Sequence, residues 1–355
     1  MSSMRPTADT GGEAGTPDPG ARGMGTPGVG APGAGAPGAL RSVAILALVA
    51  LAALVPLLGP SVALRGTGEA AAPGVGGIAL LRAVLFAALC VPAGELFAAR
   101  LARRVPDAPL RDAPRSWGPA AAAAGFAAAL CLASVVANGN LVPRGPGDLD
   151  LGGLYQTRDG ALALLEVNAF VVAGLCALSS RPATQVWPLA AVAVAEALRA
   201  HPATEQSPLV GSGLTLVHVT CAALWAGGLL HVLRTLHRWR SAAPGAGVAL
   251  LGLYARVAAV LLAVITATGV CSTLRRMPPG TVLEQLTATA YGRVLLAKVL
   301  LVAVVAALAL WARGRLRRAA DPLSAHSPAR AEVVVLGAVV AVSAVLTALP
   351  VPIRW

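Results

Sequence analysis

The 355-residue sequence contains little charge: only 12% of its residues are Asp, Glu, Lys or Arg, about half the proportion of a soluble domain. At the same time, 56% of the residues are hydrophobic and the mean hydropathy is +0.72. A soluble fold does not hide that much apolar surface behind so few charges. This excludes a cytosolic globular enzyme, a secreted disulfide scaffold and a nucleic-acid-binding protein, and it indicates an integral membrane protein.

Lysine is nearly missing as well, since Lys298 is the single lysine among 28 basic residues. With the excess of Ala, Gly and Val, this skew is typical of a GC-rich genome. The five cysteines lie in or beside apolar runs and none forms a CxxC pair, which argues against a disulfide framework and a zinc site. The sequence has no Walker motif, so we expect no ATP hydrolysis by this chain. We also expect that the protein is not an enzyme.

Residues 1–42 form a separate region that is rich in Gly, Pro and Ala and has almost no large apolar residue. Such a segment buries too little surface to offset its ordering entropy, so we predict a disordered cytoplasmic tail. The tail is too long and too rich in Gly and Pro for the start of a signal peptide. We therefore expect the apolar run that follows it to stay as an uncleaved anchor.

The rest of the chain is a series of apolar runs, most of them near the ~20 residues that a helix needs to cross the hydrocarbon core. We predict an all-α, polytopic transmembrane helix bundle of about nine spans behind the disordered N-terminal tail. The first five spans lie in residues 43–198, and the last four lie in residues 199–355. The predicted spans cover residues 43–64, 78–99, 118–137, 160–180, 184–199, 212–233, 249–273, 292–312 and 331–350.

The distribution of basic residues predicts the orientation and supports the short fifth span, which carries Pro188 and Glu196. With nine spans and a cytoplasmic N-terminus, 17 basic loop residues face the cytoplasm and 7 face outward. Without the fifth span the division is 13 to 11. Because cytoplasmic loops carry the excess of Lys and Arg, we predict a multi-pass plasma-membrane protein whose C-terminus lies outside.

Ionisable side chains inside a bilayer are costly, so each one is a candidate functional residue. Arg82, Glu95 and Glu332 lie close enough to span ends for snorkelling to explain them. Lys298 lies about two turns inside its span, where an ion-pair role and a pathway role are equally consistent with the sequence. The candidates are Arg82, Glu95, Glu166, Glu196, His201, His218, His231, Lys298 and Glu332.

The strongest local feature is the apolar run 214–239. His218 lies near its predicted outer end, and Cys221, three residues further on, shares a helix face with it. His201 and Glu196 lie at the predicted outer end of the preceding span. Since copper favours imidazole and thiolate ligands, the pattern predicts an outward-facing metal site at His201 and His218. Cys221 and Glu196 are weaker candidates.

A haem site is an alternative. His218 and His231 are 13 residues apart, roughly 20 Å by helix rise, a spacing comparable to that of two-haem membrane cytochromes. The remaining histidines lie in loops, so no second span offers a matching pair. A single b-type haem held by His218 and His201, in an electron-transfer protein, stays open.

Five segments in order resemble the copper resistance protein D family of bacterial inner-membrane proteins. They are similar to the family's Gly-His-Ala segment, its Trp-x-Gly-Gly helix, the helix after it, its Tyr-Gly-Arg…Lys helix and its Glu-led last span. Ala200 replaces the usual glycine of the first segment. The segments are RAHPAT at 199–204, LVHVTCAALWAGGLL at 216–230, LYARVAAVLLAVITATGV at 253–270, TAYGRVLLAKVLLVAVVAALA at 289–309 and the span after Glu332.

The resemblance extends over about 199–350 and is looser over 78–198. It implies a membrane protein that handles copper, with uptake as the expected activity and His201 and His218 as metal-site residues. Glu196 and Cys221 are candidates from their positions alone. Motif positions without an assigned role are Trp225, Gly227, Gly228, Tyr291, Gly292, Arg293 and Lys298.

The implied partners are the lipid bilayer, the copper ion and an extracytoplasmic copper carrier of the copper resistance C family. Because nothing before Val43 could form the β-sandwich of that carrier, we expect it to be a separate chain. No nucleic-acid partner is expected. A membrane scaffold that transports nothing is the third functional hypothesis.

Overall fold

The computed structural model describes residues 36–143, 145–148, 150–201, 207–277, 279–318 and 326–350. Within these ranges it contains eleven α-helices and no strand, which confirms the predicted all-α class. The helices are α1 (Ala36–Leu64), α2 (Val75–Ala102), α3 (Gly118–Ala137), α4 (Leu151–Gln156), α5 (Arg158–Leu178), α6 (Val186–Arg199), α7 (Pro208–Trp239), α8 (Pro244–Arg276), α9 (Val282–Ala288), α10 (Ala290–Arg318) and α11 (His326–Ala348).

Residues 1–45 and 46–355 are two separate compact units. In the first unit the structure describes only residues 36–45, which are helical, so α1 begins inside the predicted tail. Residues 1–35 of that tail lie outside the described ranges. The second unit takes in nearly all of both predicted membrane parts, which therefore form one helical body.

Each of the nine predicted spans falls on a helix. Six helices are long and apolar enough to cross a membrane, namely α2, α3, α5, α7, α8 and α10. The stretches Ala50–Leu64 and Val333–Ala348 are apolar but shorter, and α6 has 14 residues. The chain is a multi-pass helical membrane protein, while the count of nine spans stays a prediction.

The short helix α6 runs back along α5 from one end to the other. At the first end, the Gln185 side chain just before α6 and Ala177 of α5 both lie against Gly118. At the other end, the guanidinium of Arg158, the first residue of α5, donates to the carbonyl oxygen of His201 at 3.3 Å. The 14 residues of α6 measure about 21 Å, and the 3₁₀ turn before it adds length. This antiparallel path is the one that the fifth predicted span requires.

Helices α2 and α7 form the centre of the second unit. Helix α2 contacts α3, α6, α7, α8 and α11, while α7 also packs against α6, α8 and α11. The two central helices approach closely because Gly94 and Gly227 face each other, and a Cβ atom on Gly227 would overlap the carbonyl oxygen of Cys90. Small residues permit such close approach between membrane helices. The contact places Cys90 and its neighbours against the middle of α7.

Two buried apolar clusters flank this central contact. One joins α2, α7, α8, α10 and α11 and includes Trp225 and Trp239. The other joins α2, α3, α5, α6 and α7 and includes Phe170 and Val192. Since most of the interior is apolar, the few polar side chains inside it are the candidates for function.

Candidate functional site

A cavity of ≈ 210 Å³ lies among α2, α7, α8, α10 and α11. On α7 the lining residues recur every three or four positions, as expected for one helix face. They include Thr215, His218, Val219, Ala222 and Ala226. Because two of these positions are alanines, whose side chains are small, this helix face leaves the space that forms the cavity.

The strongly polar side chains of the cavity are basic or hydroxylic. Arg276, the last residue of α8, donates to the hydroxyl oxygen of Tyr291 at 3.0 Å, close to the start of α10. Lys298, two turns further along α10, also lines the cavity. No described lining residue is Asp or Glu. The cavity therefore combines apolar walls with positive charge.

The hydrogen bonds of His218 indicate which tautomer it adopts. Its Nδ1 atom lies 3.0 Å from the Thr268 hydroxyl oxygen, and that hydroxyl lies 2.8 Å from the carbonyl oxygen of Val264. We assign the hydroxyl proton to the carbonyl, which is the nearer acceptor, and this makes Nδ1–H of His218 the donor to Thr268. The lone pair is then on Nε2. A neutral imidazole whose other nitrogen donates to the protein is the usual arrangement of a metal-ligating histidine.

Cys90, rather than Cys221, shares the cavity with His218. Cys90 lies on α2 and is among the lining residues, whereas Cys221 packs against the apolar cluster that contains Trp225. Spacing along α7 placed Cys221 on the face of His218, but the cavity opens toward Val219 and Ala222, on the other side of His218. No pattern in the sequence singles out Cys90, because only the packing of α2 against α7 brings it into the cavity.

His201 lies beside the cavity but not in its lining. Its ring is buried against Gly211, and its Nε2 atom lies 2.9 Å from the Thr215 hydroxyl oxygen. Thr215 lines the cavity one helical turn before His218. Thr215 therefore lies between His201 and His218, the two histidines that we predicted to form one metal site.

Glu196 belongs to a buried charge cluster rather than to the cavity. Its two carboxylate oxygens lie 3.5 Å from an Arg82 nitrogen and 3.4 Å from an Arg199 nitrogen. Arg199 also contacts the buried carboxylate of Glu166 at 2.9 Å. Two carboxyl groups and two guanidinium groups from α2, α5 and α6 form the cluster, so the carboxylate of Glu196 already has cationic partners.

This cluster also revises the interpretation of Arg82. From its position in the sequence, we expected Arg82 to snorkel toward a span end. Its guanidinium instead faces Glu196 across the α2–α6 contact. Buried charges persist in proteins when they are paired, and removal of one partner is costly. The cluster therefore has a structural role in the last turn of α6, and His201 lies two residues after the end of that helix.

The Trp-x-Gly-Gly positions of α7 serve packing. The carbonyl oxygen of buried Trp225 accepts a hydrogen bond from the Tyr254 hydroxyl at 2.6 Å, which ties α7 to α8. Gly227 makes the close contact with α2, and Gly228 leaves room for the rings of Phe97 and Tyr254. A larger residue at either glycine would push these helices apart.

The Tyr-Gly-Arg…Lys positions divide between packing and the cavity. Gly292 lies against the backbone of Gln285 and leaves no space for a side chain. The guanidinium of Arg293 donates to the carbonyl oxygens of Arg65 at 2.7 Å and Thr287 at 2.8 Å, which joins α10 to the end of α1. Tyr291 and Lys298, by contrast, line the cavity.

A second histidine network lies near the other end of α7. The Arg234 guanidinium donates to Nδ1 of His231 at 3.2 Å and stacks on the Trp117 ring at 3.6 Å. Because Nδ1 accepts, the proton of neutral His231 is on Nε2, which lies 4.0 Å from a carboxylate oxygen of Glu95. Glu95 also accepts from the backbone N–H of Trp117 at 3.2 Å, a role that snorkelling did not predict.

Within the described residues, no group of three or more His, Cys, Asp or Glu side chains is placed to hold a metal ion. The four predicted metal candidates are thus not gathered in one place: His218 lies in the cavity, His201 behind Thr215, Glu196 in the charge cluster and Cys221 in the apolar cluster. The haem alternative gains no support, because a cavity of ≈ 210 Å³ is smaller than the ~300–1,000 Å³ pockets of drug-sized ligands.

The fold and the cavity define a multi-pass helical membrane protein with a basic, largely apolar cavity, whose described lining includes one histidine and one cysteine. Residues 248–346, which take in most of α8 and α11 and all of α9 and α10, match the family model of copper resistance protein D. The match confirms the resemblance over that segment, whereas His201 and His218 precede it. No curated protein and no solved structure matches the chain.

Proposed function

We propose that this protein takes up copper across the plasma membrane, with His218 of the cavity as its principal ligand. The observation that carries the proposal is the hydrogen-bond chain from His218 through Thr268 to the Val264 carbonyl, which leaves Nε2 as the free ligand nitrogen. Copper is chosen as the metal because residues 248–346 match the family model of copper resistance protein D. That segment contributes Thr268 and Lys298 to the surroundings of His218.

The chemistry of the cavity fits cuprous ion. Imidazole nitrogen and cysteine sulfur are soft enough for Cu(I), and His218 and Cys90 line the same space. His201 lies behind Thr215 at the C-terminal end of α6, where it positions Thr215 and the first turns of α7. Movement of one positive charge inward gains about 2.3 kcal/mol per 100 mV of membrane potential, so no ATP site is needed.

The orientation belongs to the same proposal. The 17 to 7 division of basic residues favours a cytoplasmic N-terminus and an outer C-terminus, and in that orientation the end of the cavity with Arg276 and Tyr291 faces outward. Copper would then arrive from outside, delivered by a separate extracytoplasmic carrier of the copper resistance C type.

The test is cell-associated copper in a bacterial strain that lacks the gene and is complemented with variants of it. Wild type should raise cell copper, and His218→Ala should abolish the rise at equal membrane expression. His237→Ala is the matched control, because His237 is an exposed histidine on the same helix. If His218→Ala accumulates as much copper as wild type, His218 is not the ligand. If wild type itself changes nothing, the scaffold hypothesis takes the place of uptake.

A further inference from the structure

The charge of the cavity is unbalanced. Lys298 and Arg276 both line it, and they lie within electrostatic range of each other. Of the residues that the structure describes, none accepts a hydrogen bond or forms an ion pair with Lys298, and no carboxylate lines the cavity. The charge cluster of Glu196 shows the contrast, because there each carboxylate has a guanidinium beside it.

Lys298 is half-buried, and a cation that loses part of its hydration needs an opposite charge or several hydrogen bonds to offset the cost. The walls near Lys298 are apolar and include Leu295, Val302 and Leu336, so they offer no such group. Repulsion from Arg276 adds to the cost. The cavity therefore has the electrostatic character of a site for an anion.

Three donor groups are available to such an anion. The Tyr291 hydroxyl oxygen accepts from Arg276, which leaves the hydroxyl proton of Tyr291 free to donate. Arg276 keeps further N–H groups, and the Lys298 ammonium carries three. Tyr291 and Lys298 are seven residues apart on α10, about 10 Å along one helix face.

We propose that this cavity binds a small organic carboxylate with an apolar body. The carboxylate pairs with Lys298, the apolar part lies against the leucine and valine side chains, and Arg276 and Tyr291 supply the attraction at the end where α10 begins. A volume of ≈ 210 Å³ is smaller than the ~300–1,000 Å³ pockets of drug-sized ligands, which suits a short organic acid. Carboxylate binding at Lys298 does not require copper, although both ligands would occupy the same cavity.

The test uses the purified full-length protein in detergent, free of metal, and hexanoate as the probe. Calorimetry should detect hexanoate binding to wild type, and Lys298→Met should weaken it at least tenfold, while Lys298→Arg should largely restore it. Arg275→Met is the matched control, because it removes a neighbouring charge that does not line the cavity, and its affinity should stay within twofold. Hexanol, which has no charge, should bind at least tenfold more weakly.

Thermal unfolding gives a second readout, which distinguishes loss of hexanoate binding from misfolding of the Lys298 variant. Lys298→Met should raise the midpoint in the absence of hexanoate, because it removes an uncompensated charge, and should abolish the further rise that hexanoate gives wild type. Equal binding of hexanol and hexanoate, or hexanoate binding that survives Lys298→Met, would overturn the proposal.

A further arm identifies the source of the negative charge. Palmitate that binds more tightly than hexanoate assigns the same carboxylate chemistry to fatty acids from the bilayer, whereas the reverse order assigns it to free organic acids.

Discussion

Two histidines on one helix have opposite surroundings. His218 and His231 both lie on α7, yet Nδ1 of His218 donates to Thr268 whereas Nδ1 of His231 accepts from Arg234. His218 lines a cavity, while His231 lies between a guanidinium, a carboxylate and the Trp117 ring. One imidazole is left with a free nitrogen lone pair and the other with none.

The difference shows that the hydrogen-bond partner, not the residue type, decides whether a membrane histidine is available as a ligand. A hydroxyl that gives its proton to a backbone carbonyl can only accept, and an arginine can only donate. Thr268 and Arg234 therefore select opposite tautomers of the two rings. The network of His231 joins α2, α7 and the segment before α3, which is a structural task.

The largest expected effect separates these two histidines directly. His218→Ala should lower the Cu(I) affinity of the purified protein by about 100-fold or more, since loss of a ligand exceeds the 10- to 100-fold cost of losing an outer partner. His231→Ala should change the affinity less than about threefold, because Arg234 already occupies the lone pair of its Nδ1 and its Nε2 carries the proton. Competition with a chromophoric Cu(I) chelator measures both, and equal losses in the two variants would contradict the comparison.

The two cysteines give the next contrast. Cys90→Ser should lower Cu(I) affinity by about tenfold to 100-fold, because a hydroxyl replaces a soft sulfur in the cavity. Cys221→Ser should leave the affinity unchanged, because Cys221 packs against the apolar cluster instead. The same chelator competition applies. If Cys221→Ser lowers Cu(I) affinity as much as Cys90→Ser does, the copper site includes the helix face that the spacing on α7 predicted.

A smaller effect should follow from the partner of His218. Thr268→Val removes the acceptor of Nδ1–H and frees the ring to adopt the other tautomer, so Cu(I) affinity should fall by about tenfold. Thr268→Ser keeps the hydroxyl and should behave as wild type. A Thr268→Val protein with unaltered affinity would show that the tautomer of His218 does not matter for copper.

The fold was largely predictable from the sequence, because runs of about 20 apolar residues have few alternatives in a bilayer. The short helices α4 and α9 were not predicted, since LGGLYQ and VLEQLTA are too short for an apolar period. For the candidate site, the sequence predicted only those residues that are conspicuous within their own helix. His218 and Lys298 stand out as polar residues in apolar runs, but Cys90 becomes relevant only through the Gly94–Gly227 contact between helices.

The charge cluster illustrates the same limit. Arg82, Glu166 and Arg199 lie on α2, α5 and α6, and no pattern within one helix indicates that they meet. Hydropathy singles out Arg82 and Glu166 as exceptional residues, but it attributes Arg82 to its distance from a span end and leaves Arg199 among the loop residues. Long-range pairing depends on helix neighbours, and one sequence does not contain that information.

The smallest expected effect joins the two proposals for the cavity. A copper ion at His218 lies in a space where Lys298 disfavours positive charge, so a carboxylate bound to Lys298 should strengthen copper binding. We expect saturating hexanoate to raise Cu(I) affinity by about three- to tenfold, within the range of typical coupling energies. Reciprocity then requires copper to raise hexanoate affinity by the same factor, and Lys298→Met should remove both effects. Calorimetric titration in each order measures the two factors. If hexanoate weakens copper binding instead, the two ligands compete for the same space, and the carboxylate site then acts as an inhibitory site of the copper pathway.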